Sequence, residues 1–205
     1  MATIDIQHYY DATENREIRS DLRFAVNLIG GRKIAVDCGC GAGADIGYLL
    51  GEGFTIYGFD LEDEAIARCE KRFGHSKNVN LSKDTFSSFE YPEASLVIAD
   101  ASLFFCPRSQ FESVWEKIYQ CLYPEGVFCG SFLGPEDAMA SPDNDNQALW
   151  TDRLIFTEAE VKELFGGYEI VRFTEHKTSG FTPQGAAHNW HIFAVVAKKL
   201  SDKKP

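Results

Sequence analysis

A glycine-rich turn between an apolar segment and a helix-like segment constrains the fold more than any other feature. Residues 33–37 (KIAVD) predict a short buried strand, and the chain continues as CGCGAG over 38–43 before the helix-like ADIGYLL. Three glycines at alternate positions permit a tight turn and a close approach of the backbone to a ligand. A strand, a turn of this kind and a helix, in that order, are typical of α/β folds that bind a nucleoside.

Strand-like and helix-like segments alternate through the rest of the chain, without an internal repeat. Residues 16–29 predict an amphipathic helix, and continuous apolar strands such as LVIAD and GVFCGSFLG predict a parallel sheet covered on both faces. The last two predicted strands, YEIVRFTEH and NWHIFAVVAKK, are separated by only a 12-residue loop from about His176 to Ala187. We therefore expect the final strand to run antiparallel to its neighbour.

Composition narrows the classes of partner. The 205 residues include 31 acidic and 20 basic side chains, a formal net charge of −11, which disfavours nucleic acid and anionic membranes as partners. No apolar run approaches the ~20 residues of a membrane span, and the N-terminus lacks a secretory signal pattern. The six cysteines form no C-x-x-C pair, so we expect reduced core thiols, no metal site and a cytoplasmic protein made of a single domain, 1–205.

Acidic residues at the ends of successive predicted strands suggest how a nucleoside would be held. Asp60 ends the second strand, 17 residues after Gly43, where a carboxylate can accept both ribose hydroxyls. Asp84 ends the third strand, in position for an adenine amino group, and Asp100 ends the fourth.

Two classes of nucleoside-binding protein fit this pattern. Gly39, Gly41 and Ala44 match the relaxed dinucleotide fingerprint G-x-G-x-x-A, which indicates an NAD(P)-dependent oxidoreductase. Asp37, at the approach to the loop, would repel a pyrophosphate and favour a cationic ligand instead.

In its ordered motifs the sequence resembles class I S-adenosylmethionine-dependent methyltransferases over about residues 30–200. The matching segments are VDCGCGAG, FTIYGFD with Leu61, SKDTF, LVIADASLFF and LYPEGVFCGSF, where Glu125 replaces a glycine of the family pattern. The resemblance implies a Rossmann-like, doubly wound α/β fold with a seven-stranded sheet, mostly parallel with an antiparallel last strand. SFLGPEDAMA and HNWHIFAVVAKK look like the bacterial tellurite-resistance-type branch, which implies a small-molecule or oxyanion acceptor.

The resemblance also implies positions that contact S-adenosylmethionine and its product S-adenosylhomocysteine. The backbone of Gly39, Cys40 and Gly41 would face the amino-acid end, with Asp37 near its amine and Arg16 or Arg19 near its carboxylate. The positions implied for the rest of the cofactor are Asp60 at the ribose, Leu61, Asp84 and the Thr85 backbone at the adenine, and the Asp100–Ala101 backbone at the methionine moiety.

The acceptor side is inferred from the expected geometry of the sheet. An antiparallel last strand begins at the cofactor edge, so His188 and Trp190 share one face there while His191 points to the other. That alternation disfavours a two-histidine metal site. An alcohol or amine acceptor would need a general base, for which His188, His191 and Asp100 are the candidates, and His191 is also a candidate residue beside the substrate. We expect His188→Ala to lower turnover while His191→Ala affects mainly packing.

Two segments are candidate covers for this edge. Residues 1–29 predict an N-terminal helix or lid whose Tyr9 and Tyr10 would form an aromatic wall beside a sulfonium, or simply anchor the segment on the sheet. Residues 134–156 form an acidic insertion around Trp150, which is either a lid or a solvated surface. The overall expectation is methyl transfer to a small molecule; the alternatives are the oxidoreductase and a non-catalytic cofactor-binding scaffold.

Overall fold

A seven-stranded sheet forms the centre of the computed structural model, which describes residues 2–141, 153–182 and 185–201. The strand order is β3-β2-β1-β4-β5-β7-β6. The strands are β1 (Ile34–Cys38), β2 (Thr55–Asp60), β3 (Val79–Lys83), β4 (Ala94–Ala99), β5 (Leu122–Leu133), β6 (Tyr168–Phe181) and β7 (Ala187–Lys199).

Six α-helices cover the two faces of this sheet. They are α1 (Ala2–Thr13), α2 (Ser20–Asn27), α3 (Ala44–Gly51), α4 (Asp63–Phe73), α5 (Arg108–Cys121) and α6 (Glu158–Leu164), with short 3-10 turns at Leu103–Phe105 and Ala138–Ala140. Buried side chains of α2, α3 and α4 pack on one face, and those of α5 and α6 pack on the other. Helix α2 is shorter at both ends than the helix predicted over 16–29. Among the described residues no helix is long and apolar enough to cross a membrane.

Strand directions confirm the predicted fold class. Strands β1 to β5 are parallel to one another, and β7 runs antiparallel to both β5 and β6. The chain order reverses between β1 and β4, which are adjacent in the sheet. Ligands of doubly wound sheets bind at such a reversal, beyond the carboxyl ends of the strands.

The connection between the last two strands differs from the prediction. The loop expected from His176 to Ala187 is wrong in extent, because β6 and β7 stay paired from Tyr168↔Lys199 out to Phe181↔Ala187. The outer part of this hairpin is polar and largely exposed, so it shows no hydrophobic alternation that would predict a strand. Pairing satisfies its backbone groups all the same. Strand β7 pairs with β5 only as far as Ile192, so the hairpin projects past the rest of the sheet.

The predicted insertion over 134–156 is described only at its two ends. Its first part forms the 3-10 turn Ala138–Ala140, and its last part joins the core through the buried side chains of Leu154 and Phe156. Ile155 bridges to Leu133 at the end of β5. Trp150 lies outside the described residues.

In the turn that opens β5, the backbone conformation of Glu125 favours glycine over other residues. Glu125 has a φ of 67°, a left-handed conformation that non-glycine residues adopt at a cost, and its side chain pairs with Lys198 on the surface. We expect Glu125→Gly to exceed Glu125→Ala in unfolding free energy by about 1 kcal/mol, because both lose the ion pair and only glycine relieves the φ. Urea unfolding of the two variants measures the difference, and equal stabilities would contradict it.

Candidate functional site

Three cavities lie in a row along the edge where the carboxyl ends of the parallel strands meet. The wide cavity, about 280 Å³, lies beside the ends of β2 and β3. The narrow cavity, about 70 Å³, lies at the end of β1 under α1, and the outer cavity, about 270 Å³, lies between α2 and the β6–β7 hairpin. Tyr9, Gly39, Gly41 and Ala101 line both the wide and the narrow cavity.

The glycine-rich turn shapes the wall between the first two cavities. Gly39 and Gly41 have φ values of 74° and 51°. A Cβ on Gly39 would lie 2.7 Å from the Ser102 Cβ, so that glycine is needed for packing. A Cβ on Gly41 would have nothing nearer than Tyr10, at 3.8 Å, and would point into open space. Gly41 therefore keeps the backbone accessible to whatever occupies the cavities.

Asp60 holds this turn from the end of β2. Its Oδ2 accepts a hydrogen bond from the Gly41 backbone N–H at 2.9 Å, and its Oδ1 accepts one from the Glu62 N–H at 3.0 Å. Burial raises the pKa of Asp60, while these backbone N–H groups oppose the rise. The apolar side chain of Leu61, 52% exposed, lies next to it in the lining of the wide cavity.

The far wall of the wide cavity follows β3. Asp84 Oδ1 accepts a hydrogen bond from the Ser88 hydroxyl at 2.9 Å, and the Thr85 backbone N–H donates to the same Ser88 oxygen at 3.0 Å. Asp84 and Thr85 line the same cavity as Asp60 and Leu61.

Two buried carboxylates with unmet hydrogen-bonding capacity line the narrow cavity. Asp37 Oδ2 and Asp45 Oδ1 are buried and have no hydrogen-bond partner among the described residues. The pKa of Asp37 is raised well above its usual value, first by burial and then by the neighbouring charge of Asp45. Burial also raises the pKa of Asp45, although Arg16 opposes the rise. These oxygens can accept hydrogen bonds from a ligand that carries donors or a positive charge.

Two arginines from the segment before α2 reach the same place. Arg16 donates to Asp45 at 2.6 Å and its guanidinium is 3.9 Å from Asp100, while Arg19 forms an ion pair with Asp100. Both arginines line the narrow cavity, and Arg19, Asp45 and Asp100 also line the outer one.

The turn after β4 has a strained backbone next to the cavities. Ala101 has a φ of 52°, and its N–H donates to the Ser131 hydroxyl at 2.8 Å. The Ser102 hydroxyl donates to the Cys38 carbonyl at 2.6 Å. These bonds fix the turn against β1 and β5, and strain of this kind concentrates at ligand-binding positions.

Helix α1 covers the wide and narrow cavities. Tyr9 lines both of them, and Tyr10, 2% exposed, packs against Ala42 and Ala65 beside the glycine-rich turn. The two rings meet edge to face at 5.6 Å. The tyrosines therefore anchor the helix and also form a wall of the site.

The two histidines of β7 have different surroundings. His191 is buried: its Nδ1 accepts from the Glu136 N–H at 3.0 Å, so its Nε2 carries the proton that faces Glu175 at 2.9 Å. His188 Nε2 lies 3.0 Å from the buried carboxylate of Asp137, and its ring lies 4.7 Å from that of Trp190. Among the described residues, Trp190 lines the outer cavity, whereas His188 and His191 line none of the three cavities. His188 would therefore act on a ligand from its position next to Trp190.

Several lining residues were not anticipated. Asp45 lies in the first turn of α3, directly after the glycine-rich turn. Acidic residues are common in the first turn of any helix, so the sequence did not mark Asp45 as a site residue. His176 and Thr178 line the outer cavity from β6, within the segment that the sequence suggested was a loop. Asp21 reaches the same cavity from α2.

Sequence comparisons relate this chain to a carboxy-S-adenosyl-L-methionine synthase and to a family of methyltransferase domains. Residues 35–126 match a family model described as a methyltransferase domain. Carboxy-S-adenosyl-L-methionine synthase from Chromohalobacter salexigens is 26% identical over 124 residues, which is 57% of this chain. The match spans 44% of that curated relative's length.

Solved structures share the fold over almost the whole chain. TehB from Haemophilus influenzae superposes with a TM-score of 0.74 at 16% identity, covering 95% of this chain and 67% of TehB. The 1,6-didemethyltoxoflavin-N1-methyltransferase of Burkholderia thailandensis, solved with 1,6-didemethyltoxoflavin and S-adenosylhomocysteine, superposes with a TM-score of 0.65 at 20% identity. That alignment covers 98% of this chain and 87% of the neighbour.

Proposed function

We propose that this chain is a class I S-adenosylmethionine-dependent methyltransferase and that it transfers a methyl group from that cofactor to a small-molecule acceptor. The observation that carries the proposal is the row of three cavities along one sheet edge. The wide and narrow cavities together suit a nucleoside joined to an amino acid, and the outer cavity adjoins them through Arg19, Asp45 and Asp100.

The residues present fit the cofactor chemically. Asp60 offers carboxylate oxygens to the ribose hydroxyls, the exposed side chain of Leu61 offers a surface to the adenine ring, and Asp84 offers an acceptor to its amino group. The unpartnered, buried Oδ2 of Asp37 suits the ammonium group at the amino-acid end. Arg16 and Arg19 are the cations that line the narrow cavity and can pair with the cofactor's carboxylate.

The role of the chain is chiefly alignment. Bound S-adenosylmethionine supplies an activated methyl group on a positively charged sulfur. The turns at Gly41 and Ala101 position the ligand from both sides, while α1 and its tyrosines exclude water from above. Holding an acceptor in line within the outer cavity then lowers the barrier by proximity and orientation. Asp100, which lines both the narrow and the outer cavity, and His188 remain our candidates for helping an acceptor lose a proton.

A nicotinamide dinucleotide fits this site less well than S-adenosylmethionine does. The pyrophosphate would approach the glycine-rich turn, where Asp37 and Asp45 each present an unpartnered carboxylate oxygen. An unpartnered carboxyl oxygen accepts a hydrogen bond from a cationic group, whereas the deprotonated form of either side chain would repel a pyrophosphate.

Two narrower assignments are also part of the proposal. The tellurite-resistance-type branch is supported by the segments SFLGPEDAMA and HNWHIFAVVAKK and by the shared fold of TehB. We also propose that the protein is a single domain. Six buried free thiols support a location in the cytoplasm. The net charge of −11 supports the absence of nucleic acid and membranes from its partners.

A thermal-shift and calorimetric panel tests the proposal. We expect S-adenosylmethionine and S-adenosylhomocysteine to raise the melting temperature, because a ligand at 100 times its Kd adds about 2.7 kcal/mol of stability. NAD and NADP should leave it unchanged; stabilisation by them alone would reverse the assignment. Isotope-labelled methyl transfer into a small-molecule extract, followed by mass spectrometry, distinguishes an enzyme from a scaffold that binds cofactor without turnover.

The raised pKa of Asp37 predicts how cofactor affinity depends on pH. The ammonium group of S-adenosylhomocysteine pairs with the ionised carboxylate, so binding is weaker at a pH where the free protein keeps Asp37 protonated. We expect affinity, measured by calorimetry, to rise as pH increases above the ordinary range of a carboxyl pKa, and to rise less steeply in Asp37→Asn.

Stability of the free protein should change in the opposite direction. A carboxyl whose pKa is raised on folding contributes stability at low pH that is lost as pH rises through the raised value. Asp37→Asn should therefore unfold at a higher temperature than wild type at pH 8, without ligand. A variant that binds as wild type does at every pH would contradict the assignment of Asp37.

A further inference from the structure

The outer cavity presents more carboxylates than cations. Asp21, Asp45 and Asp100 line it, against the single guanidinium of Arg19. Arg16 reaches Asp45 from the narrow cavity at 2.6 Å, and Arg172 reaches Asp21 at 3.0 Å without itself lining the cavity. The basic side chains that belong to this cluster are therefore already paired.

The outer cavity contains a hydrogen-bond acceptor that lacks a partner, so it favours a ligand that carries a donor. Asp45 lines the outer cavity, and its buried Oδ1 has no hydrogen-bond partner within the described ranges. An N–H group can satisfy such an oxygen, whereas a second anion would add to the repulsion. Trp190 and Ile192 supply an apolar wall from β7.

Resting on the proposed function, we propose that the methyl acceptor is a small, flat amine or N–H heterocycle that binds in the outer cavity. Its nitrogen donates toward Asp45 and Asp100, and its ring packs on Trp190. A cavity of about 270 Å³ lies just below the roughly 300–1,000 Å³ of typical ligand pockets, which suits a small molecule. The charges disfavour an oxyanion.

Cofactor binding strengthens this preference. Arg16 pairs with Asp45 in the free protein, and in the complex it also pairs with the carboxylate of the cofactor. The charge of Asp45 is then less fully compensated, so the outer cavity becomes more negative. An amine should therefore bind more tightly to the cofactor complex than to the free protein, and by linkage the amine should tighten cofactor binding by the same factor.

The transfer balances with residues that line the cavity. An amine that binds as an ammonium ion first loses one proton to solvent, which frees the lone pair of its nitrogen. That lone pair forms the new N–C bond while the S–C bond breaks and its electron pair stays on sulfur. The nitrogen then releases one proton. His176 lines the cavity from β6 and is exposed, so its imidazole lies between the acceptor and solvent on a path that this proton can take.

Benzylamine and benzoate test the inference, because they have similar size and opposite charge. Ligand-observed NMR titrations at saturating S-adenosylhomocysteine should show benzylamine binding about 10-fold or more tightly than benzoate. Omitting S-adenosylhomocysteine should weaken benzylamine binding several-fold. Equal affinities, or tighter binding of benzoate, would overturn the inference and favour an anionic acceptor.

Three variants assign any effect to the cavity. Asp45→Asn should weaken benzylamine about 10-fold without weakening benzoate, and Trp190→Leu should weaken both probes. Asp63→Asn, which removes an exposed carboxylate that pairs with Lys83, should change neither. Benzylamine binding that is unaffected by Asp45→Asn and by Trp190→Leu would place the amine elsewhere.

Calorimetry with S-adenosylhomocysteine accompanies each titration. Failure of wild type to bind it would refute the proposed function itself. Retained S-adenosylhomocysteine binding without amine preference would refute only the acceptor class. A variant that no longer melts cooperatively is not folded and is replaced by Trp190→Phe. This variant keeps an aromatic ring in the outer cavity, so it should retain most of the benzylamine affinity.

Discussion

Gly41→Val should abolish measurable binding of S-adenosylmethionine, with a loss of affinity on the order of 100-fold or more. The substituted side chain would stand in the open space between the glycine-rich turn and Tyr10, where the cofactor must approach. It would also be held at a φ of 51°, which a β-branched residue strongly disfavours. Isothermal titration calorimetry with S-adenosylhomocysteine measures the loss.

Gly53→Val separates the strain from the obstruction. Gly53 has a φ of 84°, and a Cβ there would meet nothing within 4 Å, in a turn between α3 and β2 that lines none of the three cavities. We expect both variants to lose roughly 1–2 kcal/mol of stability, while only Gly41→Val loses the cofactor. Retained affinity in Gly41→Val would mean that the glycine serves the turn alone.

Asp60→Ala is expected to weaken cofactor binding by about 1.5–3 kcal/mol, or roughly 10- to 150-fold in Kd. The carboxylate offers its oxygens to the ribose and also accepts the backbone N–H groups of Gly41 and Glu62. Removing it therefore loosens the turn as well as deleting a ligand contact, so a modest fall in melting temperature should accompany the lost affinity.

Asp63→Asn is the matched control for Asp60→Ala. Asp63 begins α4 three residues later, is exposed, and forms a surface ion pair with Lys83. Its replacement should leave Kd within about twofold of wild type, because an isolated surface pair contributes little. Wild-type affinity in Asp60→Ala with an unchanged melting curve would remove Asp60 from the site.

The part of the site near the first three strands was predictable because it is local in sequence. Gly39, Gly41, Asp60 and Asp84 lie at or within three residues of the ends of β1, β2 and β3, and the carboxyl ends of parallel strands meet at one edge. Their order along the chain was therefore enough to bring them together.

The outer cavity was not predictable because it depends on contacts between distant segments. Arg172 of β6 meets Asp21 of α2 across 151 positions in sequence, and no spacing rule relates them. The extension of β6 past His176 was missed for a different reason. Its side chains are polar and exposed on both faces, so backbone pairing rather than burial makes it a strand.

The attachment of α1 has a consequence for the rate at which ligand exchanges. Arg68 holds the helix through Asp11 at 2.7 Å and Glu14 at 3.2 Å, while Tyr9 from the same helix lines the wide and narrow cavities. We expect α1 to move when a ligand beneath it exchanges, and these partly exposed ion pairs to break in that movement. Salt screens such pairs, so the residence time of S-adenosylhomocysteine in stopped-flow displacement should shorten as ionic strength rises, and Arg68→Gln should shorten it at low salt.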